Sequence, residues 1–341
     1  MQILGLTALV AAVFGAFPVD GRDFFCGADV SWITEMEKKG ETLANASGEV
    51  RDGFALMKDY GLNAIRLRVW VDPKAHGNWC NLADTLAKAK RARAAGHELM
   101  IDFHYSDWWA DPQKQNIPEA WRDHDLDRLC EDVAAHTKTV LTALKREGIV
   151  PRWVQVGNET SNGMLWPLGQ ADKNPVGYAK LFQAGYEAVK SVSPPTCVIV
   201  HLDSGHEAGL YAWNLGILAE YGAKWDAIGL SLYPWWCREK FPDADKVISA
   251  CIANIRELGA KWKCPALIVE TGFECTPGAY SEGRRLLARV VREARTGTEG
   301  YCQGVFYWEP ECRPHRYRLG AFDEQGRPTP IMEGWRDALR Q

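Results

Sequence analysis

From Phe25 onward, short apolar runs alternate with amphipathic stretches. The apolar runs are of strand length and lie at Phe25–Val30, Ala64–Val69, Glu98–Phe103, Trp153–Val156, Val198–Leu202, Ala227–Leu230, Ala266–Val269 and Val305–Trp308. Runs so short and so continuous suit strands buried on both faces. Between them, apolar positions recur with helical spacing over Val50–Tyr60, Leu82–Ala95, Leu126–Glu147, Val176–Lys190, Tyr211–Tyr221, Ala244–Leu258 and Ser281–Ala294, and a last helix is expected over Glu333–Leu339. Glycines at Gly61, Gly96, Gly148 and Gly259 stand where a left-handed residue ends a helix. Strands alternating with helices imply a parallel sheet, and eight such units imply an α/β fold closed into one (β/α)8 TIM barrel. The competing open, doubly wound sheet needs a glycine-rich phosphate turn after its first strand, and Gly27-Ala28-Asp29-Val30 offers one glycine. No Pro- or Ser-rich linker interrupts the pattern, so residues 19–341 read as a single barrel domain.

Residues 1–18 read differently. Ile3–Phe17 is an apolar run of about 15 residues, short of the roughly 20 that span a bilayer. With small residues at Gly15 and Ala16 it fits a secretory signal, although the usual positive residues before the run are missing, and a buried first strand or helix is the competing reading. A secreted or periplasmic protein with no stable membrane span is therefore expected. The whole chain has 341 residues, a net charge of −4, 46% hydrophobic and 25% charged residues, which is the composition of a folded soluble domain and not of a disordered one. That near-neutral balance leaves no electrostatic footprint for nucleic acid. No coiled coil is visible, so a monomer is the default. Ten cysteines include no CxxC pair, which speaks against a zinc ribbon or a thioredoxin-like redox site. In an exported protein some would pair, and Cys237, Cys264, Cys275 and Cys312 lie in expected loops. The 15 tryptophans are a surplus that suits flat, apolar sugar faces.

In such a barrel the chemistry gathers where the strands end. The second strand carries Arg66 and Arg68, of equal parity and both able to face inward. The third ends in Asp102 and His104, the fourth in Asn158-Glu159, the sixth in Tyr233-Pro234-Trp235, the seventh in Glu270 and the eighth in Trp308-Glu309. Glu159 and Glu270 each stand at the end of a buried strand, where one of two carboxyls can hold its proton near neutrality. Such a pair across a barrel mouth is what glycoside hydrolysis needs, one as acid and the other as nucleophile or base. Either arginine could hold a carboxylate ionised. Asp102-Phe103-His104 lacks a second histidine pair to complete a metal site, and Glu309 and Glu311 read as loop charges, with ligation of a cation as the competing reading.

Together these residues resemble glycoside hydrolase family 53, the arabinogalactan endo-β-1,4-galactanases. The resemblance runs from about Gly27 to Ile331. It is carried by Gly27–Ser31, Ile65–Pro73, Asp102–Pro112, Val154–Glu159, Leu165-Trp166-Pro167, Leu232–Trp235, Val269–Gly272 and Phe306–Pro310. The resemblance implies a retaining, endo-acting hydrolase of β-1,4-galactan, the pectin side chain, that also meets galacto-oligosaccharides. Glu159 would be the acid/base and Glu270 the nucleophile. Asn158 would bond the sugar 2-hydroxyl, Tyr233 would orient Glu270, and Trp308 would floor the subsite of the reacting sugar. His104, Asp107, Trp109 and Arg68, with Asp102 and Trp235, would shape the cleft. No cofactor is implied. Bacterial members often hold calcium in a long loop after the seventh strand; here Phe273–Tyr280 is short and lacks spaced Asp and Asn ligands, so no metal is expected there. A Cys275–Cys312 disulfide would brace that loop instead. The competing readings are another β-1,4-glycanase acting on mannan, xylan or cellulose, and a galactan-binding protein without catalysis.

Overall fold

Residues 24–340 are described in a computed structural model; the signal-like segment 1–18 lies outside them. Eight parallel strands close into a barrel: β1 (Phe25–Asp29), β2 (Ala64–Val69), β3 (Glu98–Phe103), β4 (Trp153–Val156), β5 (Cys197–Leu202), β6 (Ala227–Leu232), β7 (Ala266–Thr271) and β8 (Cys302–Trp308). Each strand pairs with its sequence neighbours, and β1 closes the ring against β8, with Asp29 opposite Trp308. The helices that return the chain are α1 (Gly53–Asp59), α2 (Leu82–Ala94), α3 (Leu126–Arg146), α4 (Pro175–Val192), α5 (Ala208–Glu220), α6 (Ala244–Trp262), α7 (Tyr280–Thr296) and α8 (Glu333–Leu339). Their starts are written in the chain. Asp52, Asn81, Asp125, Asn174 and Asp243 each accept a hydrogen bond from a free backbone N–H of the first turn. A short hairpin, Leu43–Ala44 with Val50–Arg51, and a short helix, Ile33–Lys38, decorate the loop after β1.

Gly61, Gly96 and Gly148 take the left-handed conformation at the ends of α1, α2 and α3. Gly259 does not end α6, which continues to Trp262 and stops with Lys263 at φ 55°. Gly259 is there for space. A Cβ at this position would lie 2.2 Å from the Tyr301 ring, which packs on the helix.

Two apolar regions hold the barrel. One lies between the sheet and the helices. The other fills the lower barrel, where Phe25, Met100, Trp153 and Phe306 interlock with Leu267 and Val269. Phe25 and Trp153 meet edge to face at 4.7 Å. This plug seals one end, so the polar residues one layer up, Asp29, Arg66, Asp102, Gln155, His201 and Glu270, are cut off from bulk water below. Among the described residues no helix is long and apolar enough to cross a membrane.

The cysteines depart from expectation. All ten are free, so the Cys275–Cys312 bond is absent. Cys275 is buried, with its Sγ directed to the Phe322 carbonyl at 3.4 Å. Apolar burial, not cross-linking, is what these side chains contribute.

Candidate active site

Glu270 ends β7 almost wholly buried. Arg66 Nη2 donates to its Oε1 at 2.8 Å and the Tyr233 hydroxyl donates to its Oε2 at 3.0 Å. Burial pushes this carboxyl up to about 7, while the Arg66 charge works in the opposite sense. Glu159 follows β4 on the left-handed turn Gly157-Asn158-Glu159, with φ 45° at Glu159 itself. That turn swings the side chain out of the strand toward the mouth, where it is partly exposed. Its Oε1 accepts a hydrogen bond from Ser231 Oγ at 2.7 Å. Loss of hydration, then the charges of Glu270 and Asp203, raise Glu159 well above the ordinary carboxyl range. The environments thus differ: Glu270 is bonded to a cation, whereas Glu159 is bonded to a neutral hydroxyl. Ser231, the residue bonded to Glu159, stands opposite Glu270 in the β6–β7 register.

Arg66 is the hub. Fully buried, it meets Asp29 at 2.6 Å, Asp102 at 3.0 Å, Gln155 at 2.7 Å and Asn158 at 2.9 Å besides Glu270. Arg68, of the same parity, does something else. It pairs with Glu309 at 3.2 Å, and its guanidinium lies 4.2 Å from the Trp109 ring centre and 4.8 Å from that of Trp70. Of the two inward arginines, only Arg66 is bonded to Glu270.

The remaining expected residues gather at the same mouth. Asn158 Nδ2 donates to the Ala110 carbonyl at 2.8 Å, which fixes its amide beside Glu159. His104 accepts from the Ala110 N–H at Nδ1 (3.1 Å) and holds Asp102 through Nε2 (3.0 Å), and burial lowers its pKa against the pull of Asp102. Asp102, like Arg68, has no exposed surface, so each acts on the cleft through neighbours. Asp107 spends both oxygens on backbone N–H groups, those of Asp72 (2.9 Å) and Glu119 (2.8 Å), and pins two loops. Trp308, Trp109 and Trp32 form one partly exposed cluster: Trp32 lies 5.1 Å from Trp308 and 5.7 Å from Trp109, and Tyr317 lies 4.6 Å from Trp308. Trp235 is braced by Arg238 at 3.8 Å and Arg318 at 4.9 Å.

Two features were not foreseen. His201 on β5 is fully buried between Gln155 and Ser231, at 2.8 and 2.9 Å; its place at the end of an apolar strand is the same signal that marked Glu159. Glu309 and Glu311 are not loop charges but completely buried. Glu309 accepts from the Trp32 N–H at 3.1 Å besides Arg68. Burial and Asp29 push it up to about 7, and burial with Glu309 raises Glu311 further from the usual range. The loop after β8 folds back on itself, with the Ala321 N–H donating to the Pro310 carbonyl at 2.7 Å. Among the described residues no group of three or more His, Cys, Asp or Glu could hold a metal ion.

A closed parallel barrel whose strand ends present two unlike carboxyls beside an aromatic surface is built for acid–base chemistry on a sugar linkage. The chain belongs to glycosyl hydrolase family 53, whose profile matches residues 25–328, and it is accordingly a glycoside hydrolase. The arabinogalactan endo-β-1,4-galactanase of Thermothelomyces thermophilus is 32% identical over 83% of this chain and 88% of its own. The enzyme of the same name from Cellvibrio japonicus is 32% identical over 91% and 86%. Among solved structures, the family 53 catalytic domain of Ignisphaera aggregans superposes with a TM-score of 0.82 at 28% identity, covering 97% of this chain and 99% of that one. A structure of fungal β-1,4-galactanases gives 0.82 at 27% identity, covering 92% and 99%.

Proposed function

We propose that this enzyme cleaves β-1,4-galactan within the polymer by a retaining double displacement, with Glu159 as general acid/base and Glu270 as nucleophile. Relatives named as galactanases support the substrate. The observation that carries the roles is the asymmetry of the pair. Glu270 faces Arg66 and Tyr233, which favour a carboxylate ready to attack, and Glu159 sits where a proton is retained. Glu270 attacks the anomeric carbon as Glu159 gives its proton to the departing glycosidic oxygen. The resulting glycosyl ester is then hydrolysed by a water that Glu159, now a carboxylate, deprotonates. Retention requires carboxyls about 5–5.5 Å apart, and the bond of Glu159 to Ser231, the β6 residue opposite Glu270 in the β7 register, supports a close pair. Asn158 serves the 2-hydroxyl of the reacting sugar, Trp308 floors its subsite, and Trp109 and Trp235 extend the stacking surface. Export through the Ile3–Phe17 segment matches a polymer too large to enter a cell.

Glu159→Ala and Glu270→Ala test the roles. Each should lose about 10²–10⁴-fold in kcat on galactan, and wild-type turnover in either variant removes that residue from the mechanism. A panel of galactan, arabinogalactan, mannan, xylan and cellulose tests the substrate. The expected result is preferential cleavage of galactan with mid-sized oligosaccharides appearing first. Faster cleavage of another glycan, or binding of galactan without any product, overturns it.

A further inference from the structure

Between the two carboxyls runs a second, interior connection. Arg66 Nε donates to Gln155 Oε1 at 2.7 Å, Gln155 Nε2 lies 2.8 Å from His201 Nδ1, His201 Nε2 lies 2.9 Å from Ser231 Oγ, and Ser231 Oγ donates to Glu159 Oε1 at 2.7 Å. The other end of Arg66 is bonded to Glu270. We propose that this chain is a one-way hydrogen-bond relay in which His201 and Ser231 act as positioning residues, fixing the Ser231 proton on Glu159 Oε1 and leaving Oε2 as the oxygen that exchanges the catalytic proton with the sugar.

The direction follows from chemistry. A guanidinium only donates, so Gln155 must turn its oxygen to Arg66 and its NH2 group to His201. Nδ1 then accepts, and it accepts a second time from the Glu159 backbone N–H at 3.3 Å. The other arrangement, an Nδ1–H aimed at Asn158 Oδ1 3.1 Å away, would set that hydrogen against two donors and compete with Arg66 for the same oxygen. With Nδ1 unprotonated, the neutral ring carries its hydrogen on Nε2 and gives it to Ser231 Oγ. Ser231 in turn has one acceptor left to reach, Glu159 Oε1. Burial and the Arg66 charge keep His201 from taking a second proton, against the pull of Asp102. The groups that face Glu159 are Glu270 from β7, Asp203 from the loop after β5, Arg66 from β2 and Ser231 from β6. Of these, Ser231 is the one bonded to it, and that bond favours the carboxylate.

The relay rests on reading Glu159 as the acid/base, and two measurements on the intact enzyme keep the two ideas apart. Nitrogen-15 NMR of the histidines reads the His201 tautomer whatever Glu159 does. An unprotonated Nδ1 with a protonated Nε2 between pH 5 and 8 is expected; an Nδ1–H tautomer or an imidazolium overturns the relay. The pH profile of kcat/KM reads its consequence. Ser231→Ala should move the alkaline limb upward by about half to one pH unit, since removing a donor to the carboxylate favours the protonated acid, and Ser231→Thr should restore it. An alkaline limb that stays in place in Ser231→Ala, or moves equally in Ser231→Thr, overturns the relay even if Glu159→Ala is inactive. Should Glu159→Ala keep full turnover while the tautomer is as expected, the acid/base assignment is what fails.

Discussion

Burying an arginine is costly unless every charge it meets is paired, and Arg66 is surrounded by Asp29, Asp102 and Glu270. Removing it strands three buried carboxyls at once. Arg66→Met should therefore destabilise the fold by about 3–5 kcal/mol and leave Glu270 protonated at neutral pH, which calorimetry and a kcat/KM profile would register; a variant as stable and active as wild type contradicts the hub. Tyr233→Phe removes the hydroxyl that donates to Glu270 Oε2, and since a hydrogen bond to a charged group is worth about 1.5–3 kcal/mol, kcat on galactan should fall roughly 10- to 100-fold; a wild-type kcat contradicts the role. The pair Glu159 and Glu270, with Asn158 and Tyr233, was legible from position alone, because each terminates an apolar strand. Parity placed both Arg66 and Arg68 inside the barrel, but which one reaches Glu270 depends on the stagger of β2 against β7, a distance that no local pattern encodes. Ser231 stands among the polar residues that end the sixth apolar run and His201 near the end of the fifth, but a serine or histidine there is common, and their meaning comes from sharing one chain of hydrogen bonds across β5 and β6.

At the scale of elements, all eight strands and the helices that follow them could be read from continuous apolar runs and helical spacing. The exceptions are instructive. At Gly259 the residue type that ends helices elsewhere in this chain instead makes room for Tyr301, and only the partner ring distinguishes the two uses. Gly259→Ala, a good change for an isolated helix, should here cost about 1–3 kcal/mol through overpacking. The penalty should largely vanish in the Gly259→Ala/Tyr301→Ala background, and equal penalties in both backgrounds would show that the ring is not the cause. Glu309 and Glu311 read as loop charges in the sequence, yet both are completely buried. The Glu309 carboxylate turns back onto Arg68 of β2 and the Trp32 N–H of the loop after β1, partners distant in sequence that no local pattern marks.

The whole molecule is a barrel plugged by aromatic side chains at one end and lined by charge at the other, and the charge has a cost that pH reveals. Glu309 binds its proton up to about 7 in the folded protein against an ordinary 4.5, so between those values the folded state holds more protons than the unfolded one. By linkage, its contribution to stability is present at low pH and is lost as pH rises through that window. Glu311, raised by the same burial, acts in the same sense. Glu311→Gln should be more stable than wild type by about 1–3 kcal/mol at pH 8 and should flatten the decline in melting temperature from pH 5 to 7.5; an unchanged slope contradicts the assignment. The thiols give a second global test. Only Cys130 and Cys237 are partly exposed, so native alkylation should modify those two and denaturation should release all ten, with no disulfide-linked peptide in a non-reducing digest. The expected Cys275–Cys312 bond failed because loops that lie near one another need not bring two Sγ atoms together.

The account as a whole depends on Glu270 forming a covalent bond to the sugar from one face while Glu159 works from the other. Proton NMR of galactan hydrolysis, recorded before mutarotation, tests this most directly. The reducing ends released first should carry the β configuration of the linkage that was cut; α-configured ends appearing first would mean a single inverting attack by water, and the roles given to both carboxyls would have to be abandoned.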